Sequence, residues 1–331
     1  MINASAPGKV VLWGEYAVLA GAPALVMAVN RRATCEIEPG GDTWRFATRG
    51  FHAPDTELTA DELLAGNPPT HAAAAIAWQV IRLLIPDGDP TTLPAGARVL
   101  TDSRDFHLGG EKLGIGSSAA VCTSVYGACC KLLGRSPNYA EALAIHNGFQ
   151  GKSGSGIDVA AALHGGLLRF EEQQATPWEL PAELQLRFIW TGVPASTTSH
   201  VGRFNAWREE AWRASTEGQP GALAPLTDLA SISKALFEQP SLATLARYTV
   251  TLKALDAAAT LGIYGAGHSQ LDHLANNTQV VYKPCGAGGG DIGVAVGNNA
   301  AGLDQFVAAA TDLGFDSIPL EMATNGLQVA G

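Results

Sequence analysis

The chain has 331 residues, of which 47% are hydrophobic and 16% are charged, and its formal net charge is −10. This length allows two packed domains, and the composition is that of a globular protein rather than a disordered one. The acidic balance argues against a general nucleic-acid or membrane-surface binder. No run approaches the roughly 18 apolar residues of a membrane helix. The first residues also lack a signal-peptide pattern, and the five cysteines lack zinc spacing, so we expect a cytoplasmic protein.

Hydrophobic patterning predicts mixed helices and strands. Over the first 40 residues, apolar runs between turn signals predict strands. Residues 71–85 predict a helix closed by Pro86 and Gly88, and residues 97–103 predict a strand. The later predictions follow in chain order: helices at 117–133 and 138–150, a short helix from Ile157, paired strands in GGLLRFEE and LQLRFIWTG, helices from about 198 and at 240–261, two strands around a third glycine cluster, and a helix at 301–313 before a last strand. We place a domain boundary near residue 180, which divides the chain into 1–180 and 181–331.

A glycine loop followed by a helix lies in EKLGIGSSAAVCTS, residues 111–124. Such a loop brings backbone close to a ligand, and the first turn of a helix offers unpaired N–H groups to an anion. The dinucleotide fingerprint matches formally, but a second helix follows where a strand is needed. A P-loop is excluded because no Lys-Ser/Thr follows the glycines. A phosphate-binding loop remains, and the alternative is a simple helix-entry turn.

Two more glycine loops follow. GKSGSGIDVAAALHGG places Asp158 at a helix start, where it is either an acceptor or base, or a helix cap. CGAGGGD has four glycines in five positions, from Gly286 to Gly290, and each glycine costs folding entropy. Four of the seven lysines lie at these loops or in the APGK segment, which predicts phosphate neutralisation. These lysines are Lys9, Lys112, Lys152 and Lys283.

His268 and His273 are five residues apart and would not share a helix face, so we expect core or surface histidines rather than metal ligands.

Three ordered segments resemble the motifs of the GHMP kinases, a family of small-molecule kinases related to galactokinase, homoserine kinase and mevalonate kinase. The segments are APGKVVLWGEYAVLAG (6–21), KLGIGSSAA (112–120) and KPCGAGGGDIGVA (283–295). Within the family, GEYAV, TDSRDF, GSGIDVAAALHGG and WTGVPAST are most similar to the phosphomevalonate kinases. Ile115 and Cys285 depart from the usual Leu and Ser of these motifs.

The resemblance implies a two-domain α+β fold, with an N-terminal domain related to ribosomal protein S5 domain 2 and a ferredoxin-like C-terminal domain. It implies ATP-dependent phosphorylation of 5-phosphomevalonate to 5-diphosphomevalonate in isoprenoid biosynthesis, with Mg²⁺. The alternatives are mevalonate kinase, another kinase of this family, and a non-catalytic metabolite-binding protein on the same fold. We expect a monomer or homodimer whose partner is a small-molecule substrate, with no nucleic acid or membrane.

The resemblance also assigns roles to residues. Asp158 would be the base or the electrostatic organiser, and Lys9 would stabilise charge in the transferring phosphoryl group. The expected ATP-binding residues are Lys112, Leu113, Gly114, Ile115, Gly116, Ser117 and Ser118, and Ser117 or Ser118 would help to hold Mg²⁺. The expected substrate-binding residues are Gly8, Glu15, Tyr16, Ser153, Ser155, Ser196, Thr197, Gly286, Ala287 and Gly288.

Overall fold

The structure is a computed structural model that describes residues 1–50, 53–85, 88–151, 154–195, 197–219 and 221–331, and it leaves out the side chains of residues 65, 90, 197 and 198. The strands are β1 (Ile2–Trp13), β2 (Ala24–Pro39), β3 (Trp44–Arg49), β4 (Thr56–Leu58), β5 (Ala97–Asp102), β6 (His107–Leu108), β7 (Glu111–Lys112), β8 (Leu167–Glu171), β9 (Gln174–Pro177), β10 (Gln185–Trp190), β11 (Val281–Pro284), β12 (Ile292–Gly297), β13 (Asp316–Ile318) and β14 (Gln328–Ala330). The α-helices are α1 (Ala60–Ala65), α2 (Ala72–Leu84), α3 (Ser117–Leu132), α4 (Tyr139–Gln150), α5 (Ile157–His164), α6 (Thr197–Thr216), α7 (Ala224–Glu238), α8 (Leu242–Ala259), α9 (His268–Ala275) and α10 (Ala300–Asp312).

Two main sheets organise the chain. The larger has the order β14-β1-β2-β5-β3-β4, with β8 and β9 continuing from β2. The smaller has the order β11-β12-β10-β13, and all its pairs are antiparallel. Helices α9 and α10 cover the smaller sheet through a core that includes Leu271 and Phe306.

Helix α3 lies at the centre of the first part of the fold. Twelve consecutive residues from Ala119 to Cys130 are buried, because small side chains let the helix sit closely between β1 and the helices around it. A helix buried on all sides is held by packing rather than by one amphipathic face. Its N-terminus is therefore fixed relative to β1, which carries the first motif.

The predicted helices are confirmed within a few residues at each end, and local capping explains several of the starts. Asn138 accepts from Glu141 N–H at the start of α4, and Asn299 accepts from Gly302 N–H at the start of α10. Each bond satisfies a first-turn donor that would otherwise lack a partner.

Two strand predictions are corrected. Two of the apolar runs within the first 40 residues, 22–30 and 32–39, form one strand, β2, whose register with β1 shifts between Pro7 and Gly8. The strand at GGLLRFEE, β8, pairs with β2 and β9, whereas LQLRFIWTG forms β10 in the other sheet. Periodicity identifies a strand but does not select its partner, which depends on long-range packing.

The C-terminal segment returns to the first sheet. Strand β14 pairs with β1, and Leu327 packs against the backbone of Gly127 in α3. The Arg32 guanidinium donates to the carbonyl oxygens of Asn325 and Gly326 at 3.0 and 2.6 Å. The division at residue 180 stays a prediction, but the chain's last strand lies with the N-terminal part. Among the helices within the described ranges, none combines the length and apolar character needed to span a membrane.

Candidate active site

Lys9 lies where β1 contacts the first glycine loop, residues 113–116. Its backbone N–H donates to the Ile115 carbonyl oxygen at 2.8 Å. A Cβ atom on the preceding residue, Gly8, would lie 2.6 Å from the same oxygen, so this close approach requires glycine. The Lys9 side chain then passes Gly116, and its Nζ atom lies 3.1 Å from Asp158 Oδ1. The predicted catalytic pair is thus in direct contact, although 149 positions separate the two residues in the chain.

Two helix N-termini meet at this lysine. Helix α3 starts after Gly116, at φ 80°, and α5 starts after Gly156, at φ 85°. Neither start has a side-chain cap, in contrast to α4 and α10. First-turn N–H groups without a cap are suited to bind an anion, and the helix macrodipoles favour negative charge there.

The position of Asp158 argues against the capping interpretation. The N-cap of α5 is Gly156, and Asp158 is the second residue of the helix. Its carboxylate is paired with Lys9 and remains 35% exposed, whereas the Lys9 side chain is 12% exposed. The carboxylate therefore faces the site beside a fixed cation.

The predicted serines begin α3 and are partly buried. Ser118 Oγ lies 3.2 Å from His146 Nε2 and 2.5 Å from the Gln150 amide nitrogen. The Ser118 hydroxyl and the Gln150 amide carry no charge, and no cluster of three or more His, Cys, Asp or Glu side chains is placed to hold a metal within the described part of the chain. The donor set therefore fits a Mg²⁺ ion held mainly by phosphate oxygens, with one protein hydroxyl.

Other predicted nucleotide-binding residues divide into two groups. Leu113 and Ile115 are 2% and 1% exposed, so any contact with a ligand would come from their backbone. Lys112 is exposed and lines a cleft of about 850 Å³ with Arg49, Arg104 and Pro194. This cleft adjoins the first glycine loop and has room for a small molecule.

Two expectations for charged residues are corrected. Lys283 is fully buried and forms an ion pair with Glu15, so it does not neutralise a bound phosphate. The other Glu15 oxygen, Oε2, accepts from Tyr248 Oη at 2.7 Å, so both carboxylate oxygens have protein partners. Glu15 is thus a buried structural residue rather than a substrate contact. A buried ammonium needs such a partner, because an unpaired buried charge is strongly destabilising.

The remaining predicted substrate residues lie in loops. Tyr16 is buried and donates from Oη to the Ala287 carbonyl oxygen at 2.6 Å, which ties the first motif to the third glycine loop. Gly286 and Ala287 are partly exposed, whereas Gly288 is packed against Ile263. Ser155 Oγ accepts weakly from Ile157 N–H at 3.5 Å. Ser153 and Ser196, like Lys152, lie outside the described residues, as does the side chain of Thr197.

Comparisons with known proteins agree with this arrangement. Residues 76–166 match the family model described as the GHMP kinases N terminal domain. The chain is 28% identical to a phosphomevalonate kinase of Streptomyces sp. (strain CL190), over 90% of each chain. It is also 28% identical to mevalonate kinase of Bos taurus, over 88% of this chain and 84% of that protein. Residues 76–166 therefore carry the GHMP kinase N-terminal domain.

A solved structure of the family has the same fold. The Streptococcus pneumoniae phosphomevalonate kinase, in complex with phosphomevalonate and AMPPNP, superposes with a TM-score of 0.76 at 20% identity, over 98% of this chain and 100% of that chain. The predicted two-domain α+β fold of the GHMP kinases is therefore confirmed. As a kinase of this family, the protein is a phosphotransferase.

Several residues of this candidate site were not predicted from the sequence. Asp291 ends the third glycine loop, and its carboxylate lies against Gly114 of the first. His200 from α6 is buried against Gly289. His146 and Gln150 reach Ser118 from α4. Asp291 directly follows the glycine run, which was a usable signal, but the other three carry no local pattern that separates them from ordinary helix residues.

His268 contacts the third glycine loop from the protein core. It is fully buried, with Nδ1 2.7 Å from Tyr282 Oη and Nε2 2.8 Å from the Gly290 carbonyl oxygen. The expectation of a core histidine is confirmed for this residue. Burial is the main cause that lowers the pKa of His268 to about 4, and repulsion from Lys283 adds to it.

Stability should therefore fall in mild acid. The unfolded chain takes up a proton at His268 near pH 6.5, while the folded protein resists until about pH 4, so falling pH favours unfolding across that window. We expect this residue to account for roughly 2 kcal/mol of lost stability between pH 7 and pH 5. Urea unfolding at pH 7, 6 and 5 measures this pH dependence of the free energy of unfolding. The variant His268→Gln should show a smaller pH slope whatever its absolute stability, and an unchanged slope would contradict the assignment.

Proposed function

We propose that the protein transfers the γ-phosphoryl group of ATP to the phosphate of 5-phosphomevalonate, giving ADP and 5-diphosphomevalonate in the mevalonate pathway. The observation that carries this proposal is the convergence of two uncapped helix N-termini on Lys9. Two anion-binding helix starts that share one cation suit a reaction between two phosphate groups. We assign the α3 start to the phosphates of ATP and the α5 start to the acceptor phosphate.

In this reaction an oxygen of the acceptor phosphate attacks the γ-phosphorus as the bond to ADP breaks. Positioning and charge neutralisation supply most of the catalysis, because phosphoryl transfer needs little covalent help from the protein. Lys9 stabilises the charge on the transferring group, and Asp158 orients Lys9 and accepts a proton when the acceptor phosphate carries one. Ser117 or Ser118 would contact Mg²⁺, which when bound would neutralise charge on the nucleotide phosphates.

The remaining contacts complete the proposal. The cleft beside Lys112 receives the rest of the nucleotide, and the exposed part of the third loop, at Gly286 and Ala287, faces the acceptor together with Ser155. We keep as proposals that the protein acts in the cytoplasm, as a monomer or homodimer.

Mevalonate kinase is the second candidate, and the bovine relative supports it at the same identity as the Streptomyces enzyme. The GEYAV and WTGVPAST segments favour 5-phosphomevalonate over mevalonate as the acceptor. The start of α5 also favours 5-phosphomevalonate as the acceptor. The free N–H groups and the macrodipole of this helix stabilise a phosphate more strongly than a neutral hydroxyl.

The test measures ADP release with Mg-ATP and either 5-phosphomevalonate or mevalonate, with galactose and homoserine as controls. We expect turnover with 5-phosphomevalonate and none with the controls. Turnover with mevalonate alone would overturn the acceptor assignment but retain the roles of Lys9 and Asp158. ATP binding without turnover on any acceptor would favour a non-catalytic binding protein.

A further inference from the structure

Asp291 is a charged residue that the proposed reaction leaves without a role. It stands between the third glycine loop and β12, with a positive φ of 58°. Among non-glycine residues, aspartate and asparagine adopt this left-handed conformation most readily, although at some cost. A strained residue of this kind persists only where its surroundings hold it in place.

Four hydrogen bonds tie Asp291 to the loop of residues 191–195, which belongs to the WTGVPAST segment. Its N–H donates to Val193 O at 2.7 Å, and its carbonyl oxygen accepts from Thr191 N and Oγ1 at 3.0 and 3.1 Å. Its side-chain Oδ1 accepts from Ala195 N–H at 3.0 Å. The side chain therefore adds to a connection that the backbone already makes and extends it to Ala195.

The same carboxylate contacts the first glycine loop. A Cβ atom added to Gly114 would lie 2.1 Å from Asp291 Cγ and 2.3 Å from Oδ2. Only glycine leaves room for this contact, and Gly114 also has a positive φ of 73°. One side chain thus joins the 191–195 loop to the loop that we assign to the ATP phosphates.

The charges around Asp291 explain why a carboxylate is tolerated there. The ionisable groups that act on it are Lys9 from β1 and His200 from α6, and both favour its charged form. Burial opposes them and raises the pKa of Asp291, while the bond from Ala195 N–H lowers it. Lys9 is therefore attracted by two carboxylates, Asp158 in direct contact and Asp291 nearby.

We infer that Asp291 is a positioning residue for phosphoryl transfer: it locks the 191–195 loop onto the first glycine loop and adds a second attraction on Lys9 beside that of Asp158. This inference rests on the proposed function for its kinetic consequence, but the lock itself is a property of the free protein. Its negative charge opposes phosphate binding slightly and holds Lys9 in place for the reaction. The two effects act on different kinetic constants.

The decisive variant is Asp291→Asn, because asparagine keeps the shape, tolerates the left-handed backbone and can still accept from Ala195 N–H. We expect kcat to fall by between about 10- and 100-fold, as for a displaced catalytic group, while the KM for ATP stays the same or falls. An unchanged kcat in Asp291→Asn, with or without a raised KM for ATP, would overturn the inference. The matched control is Asp304→Asn. Asp304 lies on α10, and its exposed carboxylate pairs with Arg187 of β10, so this substitution should change neither constant.

Hydrogen exchange tests the lock without any turnover. In Asp291→Ala the Ala195 amide loses its acceptor, so it should exchange faster than in the wild type, whereas Asp291→Asn should retain protection. Equal exchange in the wild type and in folded Asp291→Ala would refute the lock. If exchange behaves as expected but no acceptor is phosphorylated, the proposed function fails and the lock remains.

Discussion

Replacing Lys9 with methionine should lower kcat at least about a hundredfold while the protein remains folded. The side chain lies between the starts of α3 and α5 and supplies the cation there, at 3.1 Å from Asp158. Methionine has a similar length and fills the space beside Gly116, so the packing survives but the charge does not. Turnover is measured by ADP release, and folding by circular dichroism and thermal unfolding.

The companion variant Asp158→Asn should show a loss of similar size, because both members of the pair act on one reacting group. Combining the two substitutions should cost much less than the sum of the single losses. Lys131→Met is the matched control, since Lys131 is exposed at the far end of the same helix, α3. An Asp158→Asn protein that unfolds would instead support a mainly structural role at the start of α5.

Much of this pair could be predicted from the sequence. The glycines before α3 and α5 and the lysine in APGK form local patterns, and their resemblance to the GHMP kinase motifs placed Lys9 and Asp158 in one site. The helices were predictable for the same local reason, because caps such as Asn138 and Asn299 lie next to the residues they serve.

Whether each lysine is exposed at the site or buried in an ion pair was not predictable from such local patterns. Lys112 and Lys283 both stand beside glycine-rich motifs, yet one lines an open cleft and the other is fully buried. What separates them is Glu15, which lies 268 positions from Lys283 and meets it only in the folded chain. Sequence proximity to a ligand loop therefore does not show whether a charge faces the ligand or a buried partner.

Strand partners and the return of the C-terminal segment were unpredictable for a related reason. Strand β10 pairs with β12 and β13 rather than with β8, although its own residues predict only that it is a strand. Asp291 was visible at the end of its glycine run, but its role depends on Ala195 and Gly114, which are distant in the chain.

The buried pair of Glu15 and Lys283 should dominate stability. Glu15→Gln leaves the Lys283 ammonium without a charged partner, and Lys283 is 0% exposed. Loss of one member of a buried pair typically costs about 3–5 kcal/mol, which we expect as the drop in the free energy of unfolding. Urea unfolding followed by tryptophan fluorescence measures this change. The exposed Glu57, paired with Arg45, offers a matched control, and Glu57→Gln should have little measurable effect.

A double variant separates the charge from the packing. Glu15→Gln with Lys283→Met removes both charges, so the ammonium penalty disappears and the loss should be smaller than for Glu15→Gln alone. Some loss should remain, because Glu15 also accepts from Tyr248, whose hydroxyl accepts in turn from Gly14 N–H at 2.9 Å. A single variant as stable as Glu57→Gln would contradict the buried-pair assignment. Recovery in the double variant would show that the single variant loses stability because the Lys283 ammonium is left unpaired in the core where β1, α8 and β11 meet.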